Sequence, residues 1–135
     1  MILYSDPISP NCAKVIAVLE YLKLPYELRT ISIVNRETQS PDYRKVNPNG
    51  LVPALVDGDL TLWESNAIVL HLVEKAGSSL LPQNSRDRSD TMRWMFWHAS
   101  HWAPALSTIP LSVWHPGPYR VSKPTRPPSV APKAI

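Results

Sequence analysis

Apolar positions along the first third of the chain predict a strand, a helix and a second strand. Ile2–Tyr4 is a short apolar run, and Ser9 followed by Pro10 is a typical helix start, because serine caps free N–H groups and proline fits the first turn. Helical spacing then places apolar side chains on one face, at Val15, Ile16, Val18, Leu19 and Leu22. Pro25 ends this helix, and residues 26–33 alternate as a strand does.

The following residues predict a short helix, a hairpin and a longer helix. Asp57-Gly58-Asp59 is a hairpin signal between two brief apolar runs, and Gly77 closes an amphipathic segment. The predicted bounds are 43–46 for the short helix, 54–56 and 60–62 for the strands, and 64–75 for the longer helix. The order β-α-β-α-β-β-α predicts an α/β fold with a parallel strand pair and a closing hairpin.

Beyond this α/β segment the pattern predicts a linker, one more helix and a tail. The helix runs from Asp87 to about Ala103 and is rich in tryptophan. Helical periodicity ends after Pro104, and residues 115–135 hold six prolines. Such a composition is typical of an extended or disordered segment.

Composition and charge exclude several classes of protein. Cys12 is the single cysteine, so there is no internal disulfide framework. All eleven acidic residues lie at or before Asp90, yet the five basic residues that follow are too scattered to predict nucleic-acid binding. No charged residue occurs from Trp94 to Tyr119, but the prolines and histidines there argue against a membrane span. Residues 1–4 lack the features of a secretory signal, which predicts a cytoplasmic protein.

Three short segments carry the candidate chemistry: Ser9-Pro10-Asn11-Cys12, Val52-Pro53-Ala54-Leu55 and Glu64-Ser65-Asn66-Ala67-Ile68. Each alone is equally consistent with a helix cap or a strand entry. Their order and spacing resemble the N-terminal, thioredoxin-like domain of cytosolic glutathione transferases, and the resemblance covers residue 1 to about 106. The Ser-Pro-Asn sequence looks closest to bacterial and fungal members, including the nu class and related glutathione-dependent disulfide reductases.

The resemblance implies that glutathione is the co-substrate and that no other cofactor is needed. The catalytic candidates are Ser9, whose hydroxyl would donate to the glutathione sulfur, and Asn11, which fits the same role. A helix N-terminus and a hydrogen bond both favour a thiolate over a thiol, and the thiolate is the nucleophile. Sequence alone does not choose between the two residues. Cys12, in the first turn, is expected to be a buried structural thiol.

The same resemblance implies the rest of the glutathione site. Pro53 is expected to be cis, so that the Val52 backbone pairs with the cysteinyl backbone of glutathione like an added strand. Ser65 is expected to hold the γ-glutamyl carboxylate, and Glu64 the α-ammonium group. Gln39 is the candidate for the glycyl end.

A metal site is not predicted. His98 and His101 are one helical turn apart, but no carboxylate or cysteine accompanies them. We expect these histidines to lie beside the tryptophans of the same helix.

The chain departs from the family after about residue 110, where the acidic residues and the helical pattern are gone. The predicted domains are a glutathione-binding domain at 1–78, a linker at 79–84, a remnant of the all-helical C-terminal domain at 85–110 and a Pro-rich tail at 111–135. This composition suggests a truncated or frame-shifted product. Without partner helices, the tryptophan-rich helix would expose an apolar surface that favours association.

The expected reaction is attack of glutathione thiolate on a small electrophile by a homodimer. Two alternatives stay open: glutathione-dependent reduction of a disulfide, and a non-catalytic glutathione-binding module. In the family, most of the electrophile pocket comes from helices that this chain does not resemble, which argues against turnover even where glutathione binds.

Overall fold

A four-stranded mixed sheet with helices forms the N-terminal part of the protein. The computed structural model describes residues 1–108. The strands are β1 (Ile2–Ser5), β2 (Glu27–Thr30), β3 (Ala54–Asp57) and β4 (Leu60–Trp63). The helices are α1 (Pro10–Leu22), α2 (Pro41–Val46), α3 (Ser65–Lys75), α4 (Ser85–Trp97) and α5 (Ala103–Ser107).

The sheet has the order β2-β1-β3-β4. Strand β1 pairs parallel with β2 and antiparallel with β3, and β3 pairs antiparallel with β4. The crossover between the parallel strands is α1, as a parallel pair requires. This arrangement confirms the predicted thioredoxin-like α/β fold and its element order.

Helices α1 and α3 pack together and cover one face of the sheet. The core between them and the sheet consists of fully buried aliphatic side chains: Leu3, Val15, Leu19, Leu55, Ile68 and Leu72. Tyr4 follows Leu3 and therefore points to the opposite face, where its ring meets Tyr43 of α2 edge-on at 5.7 Å between centroids. The apolar stripe of α1 is thus the reason that the helix docks on this face.

Strand β2 is shorter than the predicted 26–33. Its partner β1 ends at Ser5, whose carbonyl accepts the last ladder bond, from the Ile31 N–H at 2.9 Å. The Asp6 carboxylate then accepts from the Ile33 N–H at 2.6 Å and turns the chain away from the sheet. The length of β2 is therefore set by the end of β1. The alternation of residues 31–33 carries no information about that end.

The helix predicted from Asp87 to about Ala103 is interrupted. Helix α4 begins earlier, at Ser85, because the Asn84 side chain accepts the Asp87 N–H at 2.9 Å and caps it. After Trp97 the chain makes one π-helical turn, His98–Trp102, in which the Ala103 N–H bonds back to the His98 carbonyl. Helix α5 follows and carries Pro104 in its first turn, where the missing N–H costs least.

The chain separates into two compact units, Met1–Met95 and a second one that begins at Phe96. In the second unit, His101 stacks on the Trp97 ring with centroids 6.4 Å apart, which confirms the expected position of this histidine beside a tryptophan. The predicted Pro-rich tail, 111–135, lies outside the described residues. Within residues 1–108, none of the helices is both long enough and apolar enough to cross a bilayer.

Candidate functional site

The first candidate residue, Ser9, caps α1. Its backbone is extended (φ −88°, ψ 116°), and its Oγ accepts a hydrogen bond from the Cys12 N–H at 3.4 Å. Ser9 as a whole is 9% exposed, and within residues 1–108 its hydroxyl accepts a bond but donates none. Ser9 is therefore a cap that still has a donor to offer at the positive end of a thirteen-residue helix.

Cys12 points away from this donor and into the core. It is 1% exposed, and its sulfur accepts a weak hydrogen bond from the Asp6 N–H at 3.5 Å. The expectation of a buried thiol is confirmed. Burial removes this sulfur from contact with a substrate.

Asn11 and Ser65, which are 54 positions apart in sequence, meet at the site. The Ser65 hydroxyl donates to Asn11 Oδ1 at 3.3 Å, so the N-terminal turns of α1 and α3 are joined by side chains. Because Oδ1 is occupied by this bond, the Asn11 amide turns its NH₂ donor away from Ser65. Asn11, a candidate for the glutathione sulfur, and Ser65, the candidate for the γ-glutamyl carboxylate, are therefore neighbours.

Glu64, directly before α3, has a backbone conformation that is rare for a residue with a Cβ. Its φ is 73° and its ψ 108°, and its side chain does not cap the helix. Its carbonyl accepts the Ile68 N–H at 3.0 Å, which is the first bond of α3. Such conformations cost on the order of 1–3 kcal/mol and concentrate at functional sites.

The Val52–Pro53 peptide bond is cis, as expected. Pro53 is buried, and Val52 lies just before β3, outside the ladders that β3 forms with β1 and β4. The preceding carbonyl, of Leu51, is held by two donors, Tyr43 Oη at 2.6 Å and Asn47 Nδ2 at 2.7 Å. Burial raises the pKa of the Tyr43 hydroxyl well above its usual range, so it stays a neutral donor.

Gln39 lies in a 3₁₀ turn and braces the loop that leads to Val52. Its Nε2 donates to the Gly50 carbonyl at 2.9 Å and to Thr38 Oγ1 at 3.2 Å, and its Oε1 accepts from Arg44 at 2.6 Å. Gly50 has φ 63°, and a Cβ there would lie 2.7 Å from Gln39 Nε2. The Gln39 amide thus already donates to protein acceptors, whereas the Ser9 hydroxyl only accepts a bond, from the Cys12 N–H.

Two polar residues of the site were missed in the sequence. Lys14, one turn after Asn11 on α1, donates to Asn66 Oδ1 at 2.5 Å, and Asn66 Nδ2 donates to the Met95 carbonyl at 2.9 Å. Burial lowers the pKa of Lys14, and the nearby Glu64 carboxylate opposes that shift. The available signal was the spacing: Lys14 follows Asn11 by three residues, and Asn66 follows Ser65.

No group of three or more His, Cys, Asp or Glu side chains within residues 1–108 is arranged to hold a metal ion. The site is instead built from hydroxyl, amide and backbone N–H groups around one carboxylate and one ammonium. Such groups hold a small zwitterionic or anionic peptide well.

Comparison with known proteins shows the family of this domain. The family model described as "Glutathione S-transferase, N-terminal domain" matches residues 3–82. This chain belongs to the glutathione S-transferase family. The family match includes β1 through α3 and so contains every candidate glutathione-binding residue.

Relatives of several kinds share this domain. The chain is 41% identical over 100 residues to the glutathione S-transferase-like protein gedE of Aspergillus terreus, a match that covers 70% of the chain and 43% of the relative. It is 34% identical over 111 residues to the disulfide-bond oxidoreductase YfcG of Escherichia coli, covering 77% of the chain and 51% of the relative. The chain thus spans about half the length of the curated relatives it matches.

A solved structure with bound glutathione is also similar. The theta class glutathione S-transferase of Xanthomonas axonopodis pv. citri superimposes with a TM-score of 0.73 and 36% identity, over 76% of this chain and 50% of that one. The thioredoxin-like fold of the family is therefore present here.

Proposed function

We propose that this chain binds reduced glutathione at the joined N-termini of α1 and α3 and presents its thiolate to an electrophile. The observation that carries the proposal is the Ser65 Oγ–Asn11 Oδ1 contact of 3.3 Å, because it brings together two residues that we assign to different parts of one small peptide. In the reaction the thiolate sulfur forms a bond to an electrophilic carbon. The leaving group departs with the electron pair of the bond that breaks.

The sulfur end of glutathione lies at the start of α1 in this proposal. The Ser9 hydroxyl and the Asn11 NH₂ are both donors at this point, and either one stabilises a thiolate. The helix N-terminus adds positive partial charge, which lowers the pKa of a thiol placed there. The nucleophile is the glutathione sulfur, since Cys12 is buried.

The γ-glutamyl end lies at α3. The Ser65 hydroxyl and backbone N–H bind the carboxylate, and Glu64 attracts the ammonium group. The Val52 backbone pairs with the cysteinyl residue, and it is free for this because Val52 is outside the β3 ladders. Gln39 contacts the glycyl carboxylate only if that carboxylate replaces Thr38 Oγ1, the longer of its two acceptor contacts, at 3.2 Å.

Calorimetric titration of reduced glutathione into monodisperse protein tests the binding step. Ser65→Ala removes the bridging hydroxyl and is expected to raise Kd about tenfold, since a hydrogen bond to a charged group contributes about 1.5 kcal/mol or more. Ser79→Ala, an exposed serine beyond α3, is the matched control and leaves Kd unchanged. Equal affinity of all three proteins, or no binding by the folded wild type, would contradict the proposal.

Reduction of a disulfide through glutathione is the second candidate function. It is supported by the similarity to the oxidoreductase YfcG and by the Asn11 amide, whose NH₂ is left to donate while its Oδ1 accepts from Ser65. Parallel assays with chlorodinitrobenzene and with a small disulfide separate the two reactions. If the reductase is the true activity, Asn11→Ala lowers disulfide turnover more than Ser9→Ala does. If the protein binds glutathione but catalyses neither reaction, the non-catalytic glutathione-binding module is the supported alternative.

The remaining expectations concern assembly and location. We propose a homodimer, in keeping with exposed aromatic side chains such as Trp94 at 55% and Phe96 at 69% exposure. We also propose a cytoplasmic location. Light scattering coupled to size exclusion measures the mass directly. A monomer across the micromolar range would exclude the dimer.

A further inference from the structure

Lys14 continues the contact between α1 and α3 by one turn. Asn11 accepts from Ser65, and Lys14, three residues later, donates to Asn66 at 2.5 Å. Residues one turn apart on α1 therefore hold successive residues of the α3 N-terminus. The Lys14 side chain is half-buried, so its ammonium is fixed at this place rather than free in solvent.

Asn66 is held from both sides. Its Oδ1 accepts from Lys14, and its Nδ2 donates to the Met95 carbonyl of α4 at 2.9 Å. An amide bonded at both ends cannot rotate without losing one of these bonds. The ammonium of Lys14 is thus anchored beside the first turn of α3, next to Ser65.

The position of this charge matters because of Glu64. A carboxylate ligand on Ser65 would lie close to the Glu64 side chain, and two like charges repel. The N-terminus of α3 offers only about half a unit of positive charge in compensation. Lys14 interacts electrostatically with Glu64, so it opposes the negative charge at this turn.

We propose that Lys14 is a further positioning residue of the glutathione site: its ammonium, anchored on Asn66, keeps the α3 N-terminus able to accept the γ-glutamyl carboxylate beside Glu64. This inference rests on the proposed binding of glutathione. It adds a specific claim, namely that the charge of Lys14 acts on one carboxylate of the ligand and not on the rest of the peptide.

Calorimetry with two ligands tests the claim. The first is reduced glutathione, and the second is γ-aminobutyryl-cysteinyl-glycine, which keeps the amine but lacks the γ-glutamyl carboxylate. Lys14→Gln is expected to weaken glutathione binding about fivefold to tenfold, which corresponds to roughly 1–1.4 kcal/mol. The same variant does not weaken binding of the second peptide, which lacks the carboxylate and keeps only an amine that the Lys14 ammonium repels. Lys14→Arg restores the charge and recovers most of the glutathione affinity.

A matched control and a second variant complete the design. Lys23→Gln removes an exposed lysine just after the same helix and is expected to leave both affinities unchanged. Asn66→Asp adds a negative charge beside Lys14 and is expected to discriminate against glutathione in the same way as Lys14→Gln. If circular dichroism shows that Lys14→Gln does not fold, Asn66→Asp takes its place in the comparison of the two peptides.

The outcomes separate this inference from the proposed function. If the wild type binds glutathione and the charge variants weaken both peptides equally, or neither, Lys14 has no specific role and the inference is wrong. If the wild type binds neither peptide, the proposed function fails, and the inference fails with it. Selective loss of glutathione binding with rescue by arginine supports both.

Discussion

Substitution of Glu64 tests whether its strained backbone conformation lowers the stability of the fold at a residue that we propose binds the ligand. Its φ of 73° and ψ of 108° are outside the regions that residues with a Cβ favour, and its side chain makes no capping bond that would offset the cost. Glycine has no Cβ and therefore adopts positive φ at a lower steric cost. Glu64→Gly should therefore stabilise the fold while it removes a ligand-binding group.

The magnitude follows from two opposing terms. Relief of the strain contributes about 1–3 kcal/mol, and the greater freedom of glycine in the unfolded chain costs about 0.5–1 kcal/mol. The net expectation is a gain of about 0–2.5 kcal/mol, centred near 1 kcal/mol, in the free energy of unfolding. Glu64→Ala keeps the Cβ and the strain, so it isolates the backbone effect from the loss of the carboxylate.

Urea denaturation followed by circular dichroism measures the difference between the two variants. Lys23→Gly is a useful reference, because Lys23 also has a positive φ, 54°, but with ψ 35° lies in the ordinary left-handed region, where relief is smaller. Glutathione titrations of both Glu64 variants should show weaker binding than the wild type. A Glu64→Gly protein no more stable than Glu64→Ala would refute the assignment of strain to this residue.

Two further predictions concern other parts of the domain. Asp57 accepts from Lys75 and also contacts His71 at 2.8 Å, and these partners, Lys75 first, hold the pKa of its carboxyl below the ordinary 3.8. A lowered pKa contributes stability above pH 4, and this stability is lost as the pH falls through the folded-state pKa. Asp57→Asn should therefore lower the free energy of unfolding by about 1 kcal/mol at pH 7 and by much less near pH 2. Urea melts measure the effect, and Asp59→Asn is the control that should leave stability unchanged. Gly50→Ala places a Cβ 2.7 Å from Gln39 Nε2 and 2.9 Å from the Thr38 carbonyl at a positive φ. It should lower the melting temperature by several degrees, about 1–2 kcal/mol, and weaken glutathione binding; an unchanged melting curve would show that the loop does not depend on this close approach.

Local signals in the sequence determined most of the elements. Ser9 and Pro10 start α1 as predicted, and Gly58, with φ 65°, forms the turn of the hairpin. Gly77, with φ 60°, follows the end of α3. These features need only neighbouring residues, since caps and turns are satisfied within a few positions. The family was likewise predicted from three short segments and the spacing between them.

Tertiary structure decided where elements stop and which side chains meet. Residues 31–33 alternate like a strand, but β2 ends at Thr30 because β1 offers no further partner. The π-helical turn at 98–102 likewise departs from a helical pattern that continues through it. For β2 the deciding partner, β1, lies outside the local pattern, so periodicity alone could not reveal where the strand ends.

The candidate site divides in the same way. The sequence identified Ser9, Asn11 and Ser65, because each stands at a helix start within a motif. Only the packing of α1 against α3 brought Asn11 to Ser65 and Lys14 to Asn66, contacts that span more than fifty positions. A motif states which groups are present, but the distance between groups far apart in sequence depends on how the apolar stripes of two helices share one core. The chemistry of this site was therefore set by its residues, and its geometry by the hydrophobic face on which α1 and α3 meet.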